Sequence, residues 1–156
     1  MRRLSVISFV GLTISCLLAI MSVAANGQDR YHGREYSKSD VERFIKRVED
    51  RSDSFRRLVD RSLDRSSLDG TRLEDNINEQ VKQLEKALHE LRSEFSRRDR
   101  WLDTRRQVER VMSEAEDVNA IVRRRLFKRE IGREWAFLRS DINRLAGVYE
   151  LRPLRG

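Results

Sequence analysis

The stretch VRRRLFKRE, residues 122–130, concentrates five basic side chains: Arg123, Arg124, Arg125, Lys128 and Arg129. Dense positive charge favours binding to polyanions, because each contact with a phosphate releases a condensed counterion. The whole chain is also basic, with 33 Lys and Arg against 26 Asp and Glu. We therefore take this basic cluster as the candidate contact for an anionic surface.

Nucleophilic catalysis has little support in the sequence. It requires a serine or cysteine beside a base, which is most often histidine. The chain has two histidines: His32 lies in an aperiodic leader, and His89 flanks the apolar stripe of a predicted helix. We predict a protein that is not an enzyme and has no catalytic residue.

Metal and cofactor sites lack their usual patterns. The sequence contains no C-x-x-C-H for covalent haem and no pair of E-x-x-H motifs for a di-iron bundle. It also lacks a D-x-D-x-D-G calcium loop, although Ca²⁺ or Mg²⁺ binding by carboxylates alone stays open. Glu114, Glu116 and Asp117 lie among arginines and are interpreted as a solvated face. No cofactor and no metal are predicted.

Three aromatic residues could stack on a ligand or pack in a core. Trp135 and Tyr149 fall on the apolar seam of the last predicted helix, which favours core packing. The hydroxyl of Tyr149 then needs a polar partner. Trp101 lies at a junction between helices, where it could cap one end of the core.

An Asp-apolar-Asn motif recurs as DVN at residues 117–119 and DIN at residues 141–143. Asp141 and Asn143 lie off the predicted seam. We interpret them as structural residues that bond Arg139, Arg144 or another helix.

The N-terminus has the layout of a secretory signal peptide. Arg2 and Arg3 precede an apolar run over residues 4–23, and small residues follow. We predict a signal peptide over residues 1–25, cleaved after Ala25 or alternatively after Gly27, and a periplasmic or secreted protein. The run is also long enough for an inner-membrane anchor through residues 4–23. Lipidation of Cys16 is a further alternative.

Export changes the partners that the charge can meet. Removal of Arg2 and Arg3 lowers the net charge of +7 by two. Outside the cytoplasm the available polyanions are lipid headgroups, surface polysaccharides and acidic proteins, so we expect no nucleic-acid partner.

The remaining sequence predicts an all-α domain. Pro153 is the single proline, and glycine is too rare for the regular turns of a β-sandwich. A flexible leader is expected over residues 26–38 and a helical domain over residues 39–152. The first helix is expected to begin at Ser39, where Ser39 and Glu42 form an S-x-x-E capping pattern.

Four apolar stripes at three- and four-residue steps define four helices. The first ends after Leu63, before the turn signal Asp69-Gly70. The second begins at Thr71 with Glu74 as its capping partner, the third is expected to have Asp103 or Thr104 as its cap, and Gly147 and Pro153 end the fourth. The stripes comprise Val41, Phe44, Ile45, Val48, Phe55, Leu58 and Val59; Leu73, Ile77, Val81, Leu84, Leu88, Leu91 and Phe95; Val108, Val111, Met112, Ala115, Val118 and Val122; and Ile131, Trp135, Leu138, Ile142, Leu145 and Tyr149.

These stripes have the seam spacing of coiled-coil-like packing. Two helical hairpins would close into an up-down-up-down four-helix bundle. Arg123, Arg124 and Arg125 would follow the third helix, where positive charge offsets the negative end of the helix dipole.

The segment EWAFLRSDINRLAGVYEL resembles the closing segment of an uncharacterised family of small exported helical bacterial proteins. The stretch LDGT..ED.IN..V..LE, residues 68–85, is similar to the central segment of that family. The resemblance implies export and a helical fold, and it carries no activity or site residue.

Binding is the function class that remains. We predict a non-enzymatic interaction or structural module of the bacterial cell envelope, monomeric or homodimeric, whose partner is an envelope protein. An alternative is peripheral binding to an anionic lipid surface through residues 123–129, with Leu126 and Phe127 as apolar insertions. A second alternative is a small periplasmic stress chaperone, although the L-T-x-x-Q signature of such chaperones is missing.

Overall fold

The computed structural model describes residues 36–124 and 127–156. They form four helices, α1 (Lys38–Leu63), α2 (Arg72–Arg97), α3 (Arg105–Arg123) and α4 (Arg129–Val148), with a short 3₁₀ helix at Trp101–Thr104. This part of the chain contains no β-strand, so the all-α prediction is confirmed. The predicted signal peptide, both cleavage sites and the leader up to residue 35 lie outside the described residues.

The helices pack in a ring. Each helix contacts the next one along the chain, and α4 returns to contact α1. Short connections between neighbours make them antiparallel, so the chain forms the predicted up-down-up-down four-helix bundle. Of the four neighbouring pairs, α3 and α4 contact each other least.

The predicted stripes form the core of this bundle. Nearly all of their members are buried, including every seam residue of α4. The four exceptions are half-buried and pack against the core: Phe44, Leu58, Leu73 and Val122. The apolar faces that were predicted from the periodicity are therefore buried in the core.

The start of α1 differs from the prediction. The N-cap is Ser37, two residues before Ser39, and α1 begins at Lys38. The Ser37 hydroxyl accepts from the backbone N–H of Asp40, whose carboxylate accepts from the N–H of Ser37 in return. Tyr36 also packs edge-on against Phe44, with ring centroids 6.0 Å apart. This capping box and the aromatic contact stabilise a start of α1 that lies earlier than predicted.

The turn into α2 follows the sequence signals closely. Gly70 has φ +72°, a left-handed conformation that glycine adopts without steric cost. Thr71 is the N-cap of α2, and its hydroxyl accepts from the N–H of Glu74. The Glu74 carboxylate accepts from the N–H of Gly70 at 2.7 Å rather than from that of Thr71. The predicted helix start at Thr71 is confirmed, but the Glu74 carboxylate binds the N–H of the residue before the N-cap.

At the junction before α3, Thr104 has a different role from the expected cap. It occupies the N-cap position, but its hydroxyl makes no capping bond. Instead it donates to the carbonyl of Trp101 and lies 2.9 Å from the hydroxyl of Tyr149. The rings of Trp101 and Tyr149 meet edge-to-face at 5.1 Å. Trp101 thus covers this end of the core, and Tyr149 has the polar partner it requires.

Tyr149 makes stability sensitive to alkaline pH. Burial raises the pKa of Tyr149, and the hydrogen bond with Thr104 only partly opposes this effect. As pH rises past about 10, the unfolded chain loses this proton before the folded chain does. The contribution of the protonated Tyr149 side chain to the free energy of unfolding is complete below that pH, and it is lost as pH rises through the folded-state pKa. We expect Tyr149→Phe to flatten the decline in the free energy of unfolding between about pH 9 and pH 11, measured by urea titration. Equal slopes in both proteins would contradict this.

The end of α4 reverses the chain direction. The N–H of Leu151 donates to the carbonyl of Ala146, and that of Glu150 donates to the carbonyl of Gly147. This is a Schellman motif, in which Glu150 takes the left-handed position with φ +55°. Residues 151–156, here called the C-terminal arm, then run back along α4.

A buried hydroxyl in α1 offers a test of the core. Ser52 is fully buried, and its Oγ has no hydrogen-bond partner. Because an unpaired buried hydroxyl is unfavourable and alanine has the higher helix propensity, Ser52→Ala is expected to stabilise the fold by about 1 kcal/mol. Chemical denaturation measures the change. The control is Ser54→Ala on the exposed side of α1, where the hydroxyl bonds to the carbonyl of Asp50. A destabilised Ser52→Ala would indicate that a bound water satisfies this hydroxyl.

Candidate functional site: the basic end of the bundle

The described members of the basic cluster lie together at the connection between α3 and α4. Arg123 is in the last turn of α3 and Arg124 is its C-cap. Lys128 is the N-cap of α4 and Arg129 is its first residue. All four are exposed to solvent. Arg125 and Leu126 lie outside the described residues.

Helix dipoles explain one half of this cluster and not the other. Arg123 and Arg124 are at the carboxyl end of α3, where positive charge is stabilising, as predicted. Lys128 and Arg129 are at the amino end of α4, where positive charge opposes the dipole. The acidic residue in that first turn, Glu130, offsets part of this cost. Stability of α4 therefore provides no reason for Lys128 and Arg129.

Some charges on the sides of the bundle are paired between helices. Arg56 of α1 binds Glu85 of α2 at 2.6 Å. Similar pairs across neighbouring helices are Glu49–Arg92, Glu90–Arg110 and Arg51–Asp141. Within residues 36–124 and 127–156, no ion pair involves Arg123, Arg124, Lys128 or Arg129. The basic end thus presents uncompensated positive charge.

Of the two apolar residues between these cations, Phe127 is the one that the structure describes. It is half-buried and packs against the core, which differs from the expectation that it projects as an apolar insertion. The expectation for Leu126 lies outside the described residues.

His89 lies on the outside of the bundle, with 53% of its side chain exposed. Its Nε2 is 3.4 Å from a carboxylate oxygen of Glu49 and 3.9 Å from one of Asp53. Glu49 is at the same time bound by Arg92. His89 belongs to a surface charge cluster between α1 and α2. Among the described residues, no group of three or more His, Cys, Asp and Glu side chains is placed to hold a metal ion.

The Asp-apolar-Asn motifs have a role that the sequence did not reveal. Asn143 pairs with the backbone of Leu154: its amide nitrogen donates to the carbonyl at 3.3 Å, and its oxygen accepts from the N–H at 2.8 Å. Asn119 donates to the carbonyl of Arg155 at 2.9 Å and accepts from the indole N–H of Trp135 at 2.9 Å. The recurring asparagine was the one signal for these contacts.

Asp141 forms an ion pair with an arginine of another helix rather than with Arg139 or Arg144 of its own helix. Its carboxylate lies 3.2 Å from Nε of Arg51 on α1. The interpretation that it bonds another helix is therefore confirmed. The same Arg51 guanidinium lies 5.6 Å from the ring centre of Phe137 on α4.

Exposed apolar surface is limited in the described part of the chain. The large apolar side chains that are substantially exposed are Leu102, at 48%, and Phe137, at 49%. They belong to separate elements, the 3₁₀ helix and α4. No helix among these residues is long and apolar enough to cross a membrane.

Comparisons with protein-family models, curated proteins and solved structures gave no match to this chain. The resemblance to small exported helical proteins therefore stays a prediction.

Proposed function

We propose that this protein is a non-enzymatic interaction module, exported to the bacterial cell envelope, which contacts an acidic envelope protein through the basic end of its bundle. The observation that supports this most directly is the position of Lys128 and Arg129. They oppose the dipole of α4 and take part in no described ion pair. These two charges destabilise the start of α4 and gain no described ion pair in return. We therefore attribute their presence to binding.

The chemistry of the surface favours a protein over a lipid bilayer. Anionic headgroups attract each nearby Lys or Arg by about 1 kcal/mol, but stable attachment usually adds an inserted apolar group. Phe127 packs against the core instead of projecting. Charge complementarity with acidic side chains needs no insertion, because exposed guanidinium and ammonium groups bind carboxylates directly.

Neutralising the start of α4 tests the proposal. We expect Lys128→Gln/Arg129→Gln to weaken binding to the envelope fraction by about tenfold at low salt, because two surface ion pairs with the partner are lost. Stability should be unchanged or slightly higher, because the changes remove charges that oppose the helix dipole. The control is Lys82→Gln/Lys86→Gln, two exposed residues of α2 with the same loss of charge. Binding is measured by co-sedimentation with cross-linked envelope fractions at about 50 and about 200 mM salt.

Two further measurements distinguish a protein partner from a lipid partner. Binding that is lost after protease treatment of the envelope fraction, and is weak on phosphatidylglycerol vesicles, supports a protein partner. Salt-sensitive flotation with those vesicles would support the lipid alternative instead. Equal behaviour of the two double variants would remove the basic end as the contact surface.

The chaperone alternative needs an extended apolar surface that captures unfolded chains. Leu102 and Phe137 are the exposed large apolar residues of the described structure, and they lie on different elements. The proposal therefore predicts no protection of a model substrate against thermal aggregation.

A further inference from the structure

The C-terminal arm occupies a groove between α3 and α4. Leu154 is 5% exposed and belongs to the core, although it lies outside every helix. Asn143 of α4 pairs with both backbone groups of Leu154, and Asn119 of α3 binds the carbonyl of Arg155. The arm thus fills space between α3 and α4, the neighbouring pair of helices that contact each other least.

The groove recognises a main chain and one apolar side chain. Both asparagines bond backbone groups of the arm, as a neighbouring β-strand would. The indole N–H of Trp135 donates to the oxygen of Asn119, so the amide nitrogen of Asn119 faces the arm. Leu154 supplies the buried apolar contact. The segment known to satisfy these requirements is the arm of this chain, and every copy of the protein carries it.

The link between α4 and the arm is strained. Glu150 has φ +55°, a conformation that is unfavourable for residues with a Cβ atom. Its side chain makes no hydrogen bond or ion pair within the described residues that would offset this. An extended backbone at Glu150 would relieve the strain and would carry the arm away from its own α4.

We infer that the arm is exchanged between two copies of this protein, so that the groove of each copy binds residues 151–155 of the other. The exchanged contacts are the same as the internal ones, and exchange of an identical element is a low-cost route to a dimer. Strain released at both copies of Glu150 favours exchange, whereas the high effective concentration of the tethered arm favours the monomer. This inference is independent of the proposed envelope partner.

Two substitutions at the link change the equilibrium in opposite directions. Glu150→Gly removes the strain, and we expect it to weaken the dimer by about tenfold per link, about a hundredfold in all. Glu150→Val places a β-branched residue at φ +55° and should strengthen it. Light scattering over a concentration series of the purified full chain measures the mass. Wild type should show a concentration-dependent dimer, with Glu150→Val dimeric at lower concentration and Glu150→Gly monomeric.

A mixing experiment identifies the exchanged element. Leu154→Asp damages the arm, and Asn119→Ala/Asn143→Ala damages the groove; each should be monomeric alone. Mixed together, one intact arm can meet one intact groove, and native mass spectrometry should detect the mixed dimer. Monomers at every concentration for both wild type and folded Glu150→Val would overturn the inference. Dimers that persist in Leu154→Asp alone would overturn it as well. If Glu150→Val does not fold, the inference is tested by the masses of wild type and Glu150→Gly and by the mixing experiment.

Discussion

Replacing Trp135 by alanine is expected to lower the free energy of unfolding by about 3–5 kcal/mol, the range for large aromatic truncations in a core. Trp135 is 2% exposed and packs against Phe55 with ring centroids 5.5 Å apart. Its indole N–H also donates to Asn119. The substitution therefore leaves a cavity between α1 and α4, and it leaves the Asn119 oxygen on α3 with only the long 3.5 Å hydrogen bond from Arg139. Urea denaturation followed by circular dichroism measures the loss.

Two further variants separate the contributions of Trp135. Trp135→Phe keeps most of the volume and removes the N–H, so about 1–2 kcal/mol of the loss should remain. Phe137→Ala, two residues along the same helix at a position that is 49% exposed, should cost less than about 1 kcal/mol. If Trp135→Ala cost no more than Phe137→Ala, Trp135 would not be a central core residue.

Removing the partner of Asp141 should have the second largest effect. The Asp141 side chain is 10% exposed, and its carboxylate lies 3.2 Å from Nε of Arg51. That carboxylate oxygen has no well-aligned hydrogen bond, so the contact is mainly coulombic. Arg51→Ala leaves a nearly buried charge without a counterion. We expect the free energy of unfolding to fall by about 2–3 kcal/mol, which is less than for a fully buried pair because Arg51 is partly exposed. Thermal and urea unfolding measure it.

The control for Arg51 is Arg47→Ala, an exposed residue one turn earlier on α1. It should change stability by less than about 0.5 kcal/mol. The double variant Arg51→Ala/Asp141→Ala should recover part of the loss, because neither charge is then left alone. Additive losses in the double variant would show that the two residues act independently.

Helices and core were predictable because they depend on local periodicity. The seam spacing of residues 73–95 and 131–149 identifies α2 and α4, since a buried stripe at that spacing has few other solutions. The cap of α1 was placed at the wrong serine because Ser37 and Ser39 both precede an acidic residue by three positions. The contact between Tyr36 and Phe44 favours the earlier one, and it depends on where the chain enters the bundle.

The basic cluster was found from composition, but its significance required the structure. Sequence alone assigned the arginines to the end of a helix, and the boundary at Arg129 shows that half of the charge lies at the start of the next one. The arm was not predictable, because its contacts join an aperiodic segment to asparagines on two helices. Such contacts depend on tertiary distance, which no spacing along the chain encodes.

The ion pairs between α1 and α2 also define the register of those helices. Glu49 pairs with Arg92, and Arg56, seven residues later, pairs with Glu85, seven residues earlier. A slip of one heptad would keep the apolar seams matched, since Val48 and Phe55 or Leu84 and Leu91 would simply change places along them. A slip in one direction would bring Arg56 opposite Arg92, and a slip in the other would bring Glu49 opposite Glu85. Each pair contributes only about 0–1 kcal/mol to stability, because its arginine is exposed to solvent. Together the pairs penalise both misaligned hairpins and leave one alignment in which the charges attract.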